Sequence, residues 1–449
     1  MGAFKAYDIR GVFGRDFDGD TVYRIGRCLP ELLKADRILI GYDCRESTPE
    51  ILHMLTKGIT ESGADVDDMG LATTPMVYYL TATRGYSASV QITASHNSRE
   101  YNGLKISRSG ALPVGRDTGL LRLEAMVKAE LPEPAELKGS IERITDGLED
   151  YVSFVRRHME ETGRLKFGID CSNGMASLLV HDLFGEAPAY IFDTMDGTFP
   201  NHPPNPLEEE NLRDLKDLVL ANRLDVGVIY DGDGDRVMFI DELGRFVRPD
   251  IITAVLGLHF LALEEGYVLH DIRTSRAVIK YIRGLGGIPF MWKVGHSHAK
   301  VKMRELGAIY GGELAGHYYF REFFNCDSGI LASVHVLNIL AGLKRSGGRL
   351  SSLVDAIDTM FNSGEVNFRI EDKSGAMESL LERFTADEEP LEILDYDGYR
   401  VEFASWWFNV RPSNTEPYLR LVVEADTEDL LERKMMQMRS ILSGFTQGR

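Results

Sequence analysis

Ala88-Ser89-Val90-Gln91-Ile92 is a short, mostly apolar run, and Thr93-Ala94-Ser95-His96-Asn97 follows it without a break. A run of that length bounded by small polar residues reads as a buried strand that hands a serine to a tight loop. With Tyr101-Asn102-Gly103-Leu104-Lys105 close behind, one loop is expected to carry a hydroxyl, an imidazole and an ammonium. Positive donors around a hydroxyl suit a serine that holds an anionic group. The same Ser-His-Asn also reads as an ordinary N-cap in a surface loop, and nothing local separates the two.

Outward from this point, strand and helix patterns alternate. Arg37 to Tyr42 reads as a strand. Thr48-Pro49 reads as an N-cap and first helical residue of a helix to about Ser62, and Thr74-Pro75 repeats the signal. Such alternation predicts a parallel or mixed sheet covered on both faces, with reactive loops at the carboxyl ends of strands. Ser95 sits at one such end. Tyr7-Asp8-Ile9-Arg10-Gly11 opens the chain as a short polar turn, from which Arg10 either reaches an anion or stays at the surface.

Leu131-Pro132-Glu133-Pro134 interrupts the pattern before a helical stretch from about Leu148 to His158 and a strand from Leu165 to Asp170. Cys171-Ser172-Asn173-Gly174 is then expected to turn the chain into a helix. Val226-Gly227-Val228-Ile229-Tyr230 reads as a central strand, and Asp231-Gly232-Asp233-Gly234-Asp235-Arg236 follows it. Alternating carboxylates on a glycine-bent backbone can aim their oxygens at one point, as Mg²⁺ requires; without a cation they repel. A calcium loop is the rival, because Glu242 falls at the last EF-hand position. Arg236 replaces the glycine such a loop needs, however, and the flanks read as strands. A solvated acidic turn is the third reading.

A further alternating unit starts near Gly266, and Gly295-His296-Ser297-His298 opens a helix through Leu306. Two positions apart, these histidines do not have helical metal spacing; one is expected to face a cleft and the other to be structural. Gly311-Gly312-Glu313-Leu314-Ala315-Gly316-His317 could grip sugar hydroxyls through Glu313 and His317, or be a plain flexible connection. After an apolar helix from Ile330 to Leu343, strands near Val366, Ile393, Val401 to Phe403 and Tyr418 to Glu424 predict a small antiparallel sheet closed by a helix from Leu430 to Leu442. Arg411-Pro412-Ser413-Asn414-Thr415-Glu416-Pro417 reads as a phosphate-clamping turn or as a plain polar one.

The chain has 449 residues, enough for two to four domains, and 44% hydrophobic with 27% charged residues marks a globular protein. A net charge of −19 argues against nucleic acid or anionic membrane as a partner. Any phosphate site is therefore a local basic pocket. Cys28, Cys44, Cys171 and Cys326 form no CxxC pair and read as reduced thiols. No apolar run is long enough to span a bilayer, and the start carries no signal-peptide core, so a cytoplasmic location is expected.

These four loops, in this order, resemble the α-D-phosphohexomutase superfamily, and most closely its bacterial phosphomannomutase/phosphoglucomutase branch, over essentially the whole chain. Thr93-Ala94-Ser95-His96-Asn97 looks like the phosphoserine loop and Asp231-Gly232-Asp233-Gly234-Asp235-Arg236 like the metal loop. Gly312-Glu313-Leu314-Ala315-Gly316-His317 looks like the sugar loop and Arg411-Pro412-Ser413-Asn414-Thr415 like the phosphate loop. The resemblance implies an α/β fold of four domains around a central cleft, three mixed-sheet α/β and a smaller C-terminal α+β domain. The boundaries expected are 1–143 with the phosphoserine loop, 144–246 with the metal loop, 247–358 with the sugar loop and 359–449 with the phosphate loop.

The resemblance further implies that Ser95 carries a phosphoryl group and that Mg²⁺ binds it together with Asp231, Asp233 and Asp235. His96, Lys105, Arg236, Tyr7 and Arg10 would lie near the transferred phosphate, with Lys105 and His296 as candidates for general acid and base. Glu313 and His317 would hold sugar hydroxyls; Arg411, Ser413, Asn414 and Thr415 would hold the other phosphate. Two positions depart from the usual pattern. Ala315 stands where serine is common, and Arg273 where the bifunctional branch usually has lysine, a cation of different geometry. His296 keeps that branch's pattern.

The implied reaction interconverts hexose 1-phosphate and hexose 6-phosphate, of mannose and/or glucose, with a hexose 1,6-bisphosphate as intermediate and activator, in a monomer or homodimer. Phosphoglucosamine mutase, a metal-dependent sugar-phosphate phosphatase and a non-catalytic sugar-phosphate sensor are the alternatives.

Overall fold

The fold, taken from a computed structural model, is described for residues 2–413 and 418–445. It contains four sheets, and the first three mix parallel and antiparallel strands as the alternation predicts. In the first, Ala88–Ile92 runs parallel to Arg37–Tyr42, which runs parallel to Asp65–Leu71; Tyr101–Arg108 pairs antiparallel on the other side of Ala88–Ile92. In the second, Val226–Tyr230 lies between the parallel Phe167–Asp170 and the antiparallel Val237–Asp241. The third is built on Tyr267–Asp271, flanked by Ile288–Trp292 and Tyr310–Gly312. The fourth is antiparallel throughout, with Trp406–Pro412 and Tyr418–Ala425 at its centre.

The reason for the strand positions is burial. Every residue of Ala88–Ile92 and of Val226–Tyr230 is buried, as expected for strands covered on both faces. One apolar core runs from helix Thr74–Thr83 through Tyr151 and Phe167 to helices Pro249–Leu263 and Gly329–Arg345, so it is shared among the first three sheets. The fourth sheet and its helices Lys373–Asp387 and Glu428–Ser443 have a separate core. This unit docks on the third through polar contacts. Arg276 Nε donates to Glu402 at 2.6 Å, and Arg400 Nη1 donates to the carbonyls of Ile272 and Thr274 at 2.6 and 2.8 Å.

Several expectations are corrected. The opening residues are not a turn: Ile9–Val12 is an edge strand, with Arg10 opposite Gly103. Lys105 lies within strand Tyr101–Arg108, opposite Gln91, and not on the serine loop. Cys171 to Gly174 leads into a 3₁₀ turn at Met175–Leu178 and then the short helix Val180–Phe184. The N-caps fall one residue earlier than read. Thr73 caps helix Thr74–Thr83, and Ser47 precedes Thr48–Glu61 without a side-chain cap bond. Thr74 is thereby free to donate its hydroxyl to Asp233, in the second sheet's loop. Arg411 and Pro412, expected in a turn, finish a seven-residue strand, Trp406–Pro412.

Candidate active site

Ser95 follows the end of strand Ala88–Ile92 and is 1% exposed. Its φ of +53° lies in the left-handed region, where a non-glycine residue needs its surroundings to hold it. Arg45 provides the hold. Its guanidinium donates to the carbonyls of Ser95 (2.8 Å), Asn97 (2.7 Å), Ser98 (2.7 Å) and Tyr101 (3.0 Å), while Nε donates to Asp43 at 3.0 Å. Thr93 Oγ1 accepts from the Ser95 amide at 2.9 Å. The aspartate loop packs on the same backbone: a Cβ on Gly232 would lie 2.5 Å from the Ser95 carbonyl oxygen, so only glycine fits there. Ser95 Oγ then donates to Asp231 Oδ2 at 2.7 Å, joining the first and second sheets at one hydroxyl.

Asp231, Asp233 and Asp235 are each 0% exposed, and one carboxylate oxygen from each lies within 4.8 Å of the others. Lys105 Nζ reaches Asp233 Oδ2 at 2.6 Å and also contacts Asp235. Burial and then repulsion from Asp233 and Asp235 push the Asp231 carboxyl well above the usual carboxylate range. Burial acts the same way on Asp235, but Lys105 and His317 outweigh it and hold that carboxyl low. Asp233 Oδ1 has no hydrogen-bond partner among the described residues. Three buried carboxylates against one ammonium, with an oxygen left unpartnered, fit a hard divalent cation. Glu242 does not belong to this group; it accepts from the Ser351 amide at 3.1 Å, and the calcium-loop reading is set aside.

His96 is half-buried beside this centre, and its Nδ1 makes no hydrogen bond among the described residues. Burial, followed by the cations Arg236, Arg10 and Lys105, pushes its imidazole well below the usual histidine range, so it stands here as a neutral donor or acceptor rather than a charge. Arg10 Nη1 donates to Asn97 Oδ1 at 2.9 Å, and the same guanidinium is paired with Asp8. The strand and the serine loop are thus fastened together by the residue expected to meet an anion.

The third sheet contributes its own loops. Arg236 Nε donates to His317 Nε2 at 3.1 Å, and His317 Nδ1 lies 2.6 Å from Asp327 Oδ2, whose other oxygen meets Lys300 Nζ at 2.7 Å. Nε2 is thus the acceptor from Arg236, and Nδ1 faces Asp327. His296 stacks 5.7 Å from His317 and edge-on to Tyr7 at 5.8 Å. His298 also meets the Tyr7 ring edge-on, at 5.5 Å, and of the two histidines it is His296 that stacks on His317. The Tyr7 hydroxyl donates to the Val294 carbonyl at 3.1 Å, and Gly295 (φ +125°) leaves room for the Tyr7 ring, which a Cβ would approach to 2.6 Å. Glu313 accepts from the Gly295 amide at 2.7 Å and from the Tyr319 hydroxyl. Burial raises its carboxyl above the ordinary value. Ala315 is half-buried in the same turn and offers no hydroxyl.

A second cluster lies where the third and fourth sheets meet. Glu365 accepts from Arg273 (3.1 Å), Arg411 (3.1 Å) and Arg420 (2.9 Å). Arg273 is also paired with Asp271 at 2.6 Å, and Arg411 lies 3.7 Å from Asp397. Although burial opposes it, the three guanidiniums pull the Glu365 carboxyl down to about 2. Arg411 Nε makes no hydrogen bond among the described residues. Ser413 donates its amide to the Tyr418 carbonyl at 2.8 Å; Asn414 and Thr415 lie outside the described residues. Sequence reading missed Arg45, Asp327, Lys300 and Glu365. The first of these stands in Asp43-Cys44-Arg45 directly after a strand, a signal of the same kind as those that were read.

Loops of three α/β sheets thus meet around a buried serine and an acidic cluster, and the fourth unit brings arginines to the third. Comparison with known proteins identifies the class. Four Phosphoglucomutase/phosphomannomutase domains match in chain order: alpha/beta/alpha domain I over residues 1–132, domain II over 148–244, domain III over 248–360 and the C-terminal domain over 365–441. A protein of Xanthomonas campestris named "Phosphohexose mutases" is 37% identical over 98% of this chain and 99% of its own length. A "Phosphomannomutase" of Escherichia coli K12 is 35% identical over 98% of both chains. A solved phosphoglucomutase/phosphomannomutase family protein of Burkholderia thailandensis superposes with a TM-score of 0.87 at 29% identity, covering 99% of this chain and 97% of that one. The chain belongs to the phosphoglucomutase/phosphomannomutase family, a family of isomerases.

Proposed function

We propose that this enzyme interconverts hexose 1-phosphate and hexose 6-phosphate, of mannose and/or glucose, through a phosphoserine at Ser95 and a hexose 1,6-bisphosphate. The observation that carries the reading is the buried Ser95 hydroxyl held 2.7 Å from Asp231, at the edge of an acidic cluster that also binds Lys105. The phosphoryl group on Ser95 passes to the free hydroxyl of a sugar monophosphate. The P–O bond to Ser95 breaks as the new one forms, and the sugar hydroxyl gives up its proton. The bisphosphate turns over and returns its other phosphoryl group to Ser95. Asp231, Asp233 and Asp235 with the phosphoserine would hold Mg²⁺, which when bound neutralises phosphoryl charge.

The protein's own part is positioning and charge. Arg45 and the Asp43 carboxylate fix the serine loop before any ligand arrives. Lys105, Arg236 and Arg10 supply positive charge around Ser95; Lys105, tied to Asp233 and Asp235, is held strongly protonated against the effect of burial. Lys105 therefore enters as a cation, and the neutral imidazoles of His96 and His296 are better placed to accept the hydroxyl proton. Glu313 and His317 would orient the sugar ring. Arg411, Ser413, Asn414 and Thr415, with Arg273, would hold the phosphate that is not reacting.

A coupled assay offering mannose 1-phosphate, glucose 1-phosphate and glucosamine 1-phosphate, with a hexose bisphosphate as activator, tests the reading. Isomerised mannose or glucose phosphate is expected, with turnover lowered about 10⁴-fold or more in Ser95→Ala and sugar-phosphate binding retained. Normal turnover in that variant, or net release of inorganic phosphate, refutes it. Faster turnover of glucosamine phosphate would replace the sugar assigned here.

A further inference from the structure

Four side chains that the mutase site does not use converge from separate segments. His158 lies just past helix Gly147–Arg156, His259 in helix Pro249–Leu263, Glu322 in the turn Arg321–Phe323, and His335 in helix Gly329–Arg345. His335 Nε2 is 2.8 Å from Glu322 Oε1, and His158 Nδ1 is 3.6 Å from the same oxygen. One donor atom from each of these three residues lies within 4.8 Å of the other two. The His259 ring sits against His335 with centroids 4.8 Å apart. We propose that His158, Glu322 and His335 form a second metal site, for a borderline divalent ion of the Zn²⁺ type, with His259 walling its inner side.

The donor set selects the ion. Two imidazole nitrogens and one carboxylate oxygen suit Zn²⁺ and its neighbours, whereas the all-oxygen aspartate cluster suits Mg²⁺. Spacing agrees: ligands about 2.0–2.1 Å from a tetrahedral ion lie roughly 3.3 Å apart, between the two separations above. Access exists on one side, because the Glu322 side chain is 35% exposed and that of His158 20%, leaving a fourth position for water.

A Glu–His hydrogen bond alone accounts for less. It leaves the gathering of two further imidazoles around one carboxylate unexplained. An ion here would tie the segment after helix Gly147–Arg156 to helix Gly329–Arg345. The first amide of that helix, Gly329, donates to the Gly234 carbonyl of the aspartate loop at 3.2 Å.

The inference does not depend on the mutase reading and is tested apart from it. The full chain is stripped with a chelator and returned to excess Mg²⁺, then titrated with Zn²⁺ by calorimetry and with Co²⁺ by visible absorption. One Zn²⁺ per chain is expected, together with a raised unfolding temperature and four-coordinate Co²⁺ bands. Affinity should fall at least about tenfold in both Glu322→Gln and His158→Gln, with their turnover in Mg²⁺ unchanged. Asp231→Asn should still bind the Zn²⁺. Absence of binding in the unaltered protein, unaltered affinity in both Glu322→Gln and His158→Gln, or loss of the ion in Asp231→Asn alone overturns the proposal.

Discussion

The serine centre and the arginine cluster around Glu365 balance their charges in opposite ways. At the first, three buried aspartates face Lys105, and Asp233 keeps an oxygen without a hydrogen-bond partner among the described residues. At the second, Arg273, Arg411 and Arg420 are matched by Asp271, Glu365 and Asp397 within the protein. The cation proposed for the first centre would supply the missing charge, and the clamped loops suit it, because a cation site needs its oxygens fixed in advance. The second is already neutral and can exchange one carboxylate for another anion. Such exchange suits the phosphate-holding role proposed above for these arginines. Its place at the polar junction of two separate cores adds freedom that the serine centre lacks.

The comparison breaks most visibly at Arg45. Arg45→Met leaves Asp43 as a buried, unpaired carboxylate and releases four loop carbonyls. A loss of about 3–5 kcal/mol is expected in denaturant unfolding, with turnover falling further than stability alone explains. Unchanged stability would mean that the serine loop is not held as described. Next in size is Glu365→Gln, which removes the competing carboxylate from three guanidiniums. The KM for sugar phosphate should fall about three- to tenfold, with the gain fading as salt is added; a raised KM would show that Glu365 organises the cradle instead of competing for it.

The same residue also sets a pH dependence of stability. Glu365 has its carboxyl depressed from 4.5 to about 2, so its stabilisation is fully present above pH 4.5 and is lost as pH falls towards 2. The difference in unfolding free energy between the unaltered protein and Glu365→Gln should be about 1–3 kcal/mol at pH 6. It should shrink at pH 3, and a constant difference would contradict the assignment.

Much of this was legible before the structure. Ser95 and Asp231 each close an apolar run that is buried along its length, and glycine at 232 and 234 marks a backbone bent for a purpose. Alternating strand and helix pointed to parallel or mixed sheets, which the first three are, and the run of short strands after Val366 pointed to the antiparallel fourth. What escaped is what depends on distant partners. Arg45 acts on carbonyls fifty or more residues away, and Asp327 becomes informative only beside His317 and Lys300. Glu365 has no periodic context at all, and Trp406–Pro412 was lost because its end coincides with the motif that follows it. The strand that holds Lys105 is hidden in the sequence, since Asn102 and Gly103 carry poor β-propensity that pairing with Ala88–Ile92 and Ile9–Val12 overrides.

The left-handed backbone at Ser95 limits which alcohol can occupy the position. Threonine offers the same oxygen, yet its branched β-carbon crowds the preceding and following peptide groups at a φ of +53°. A chain that swapped the two would keep its nucleophile on paper and lose the shape that presents it. The choice of serine here is as much a matter of main-chain sterics as of reactivity.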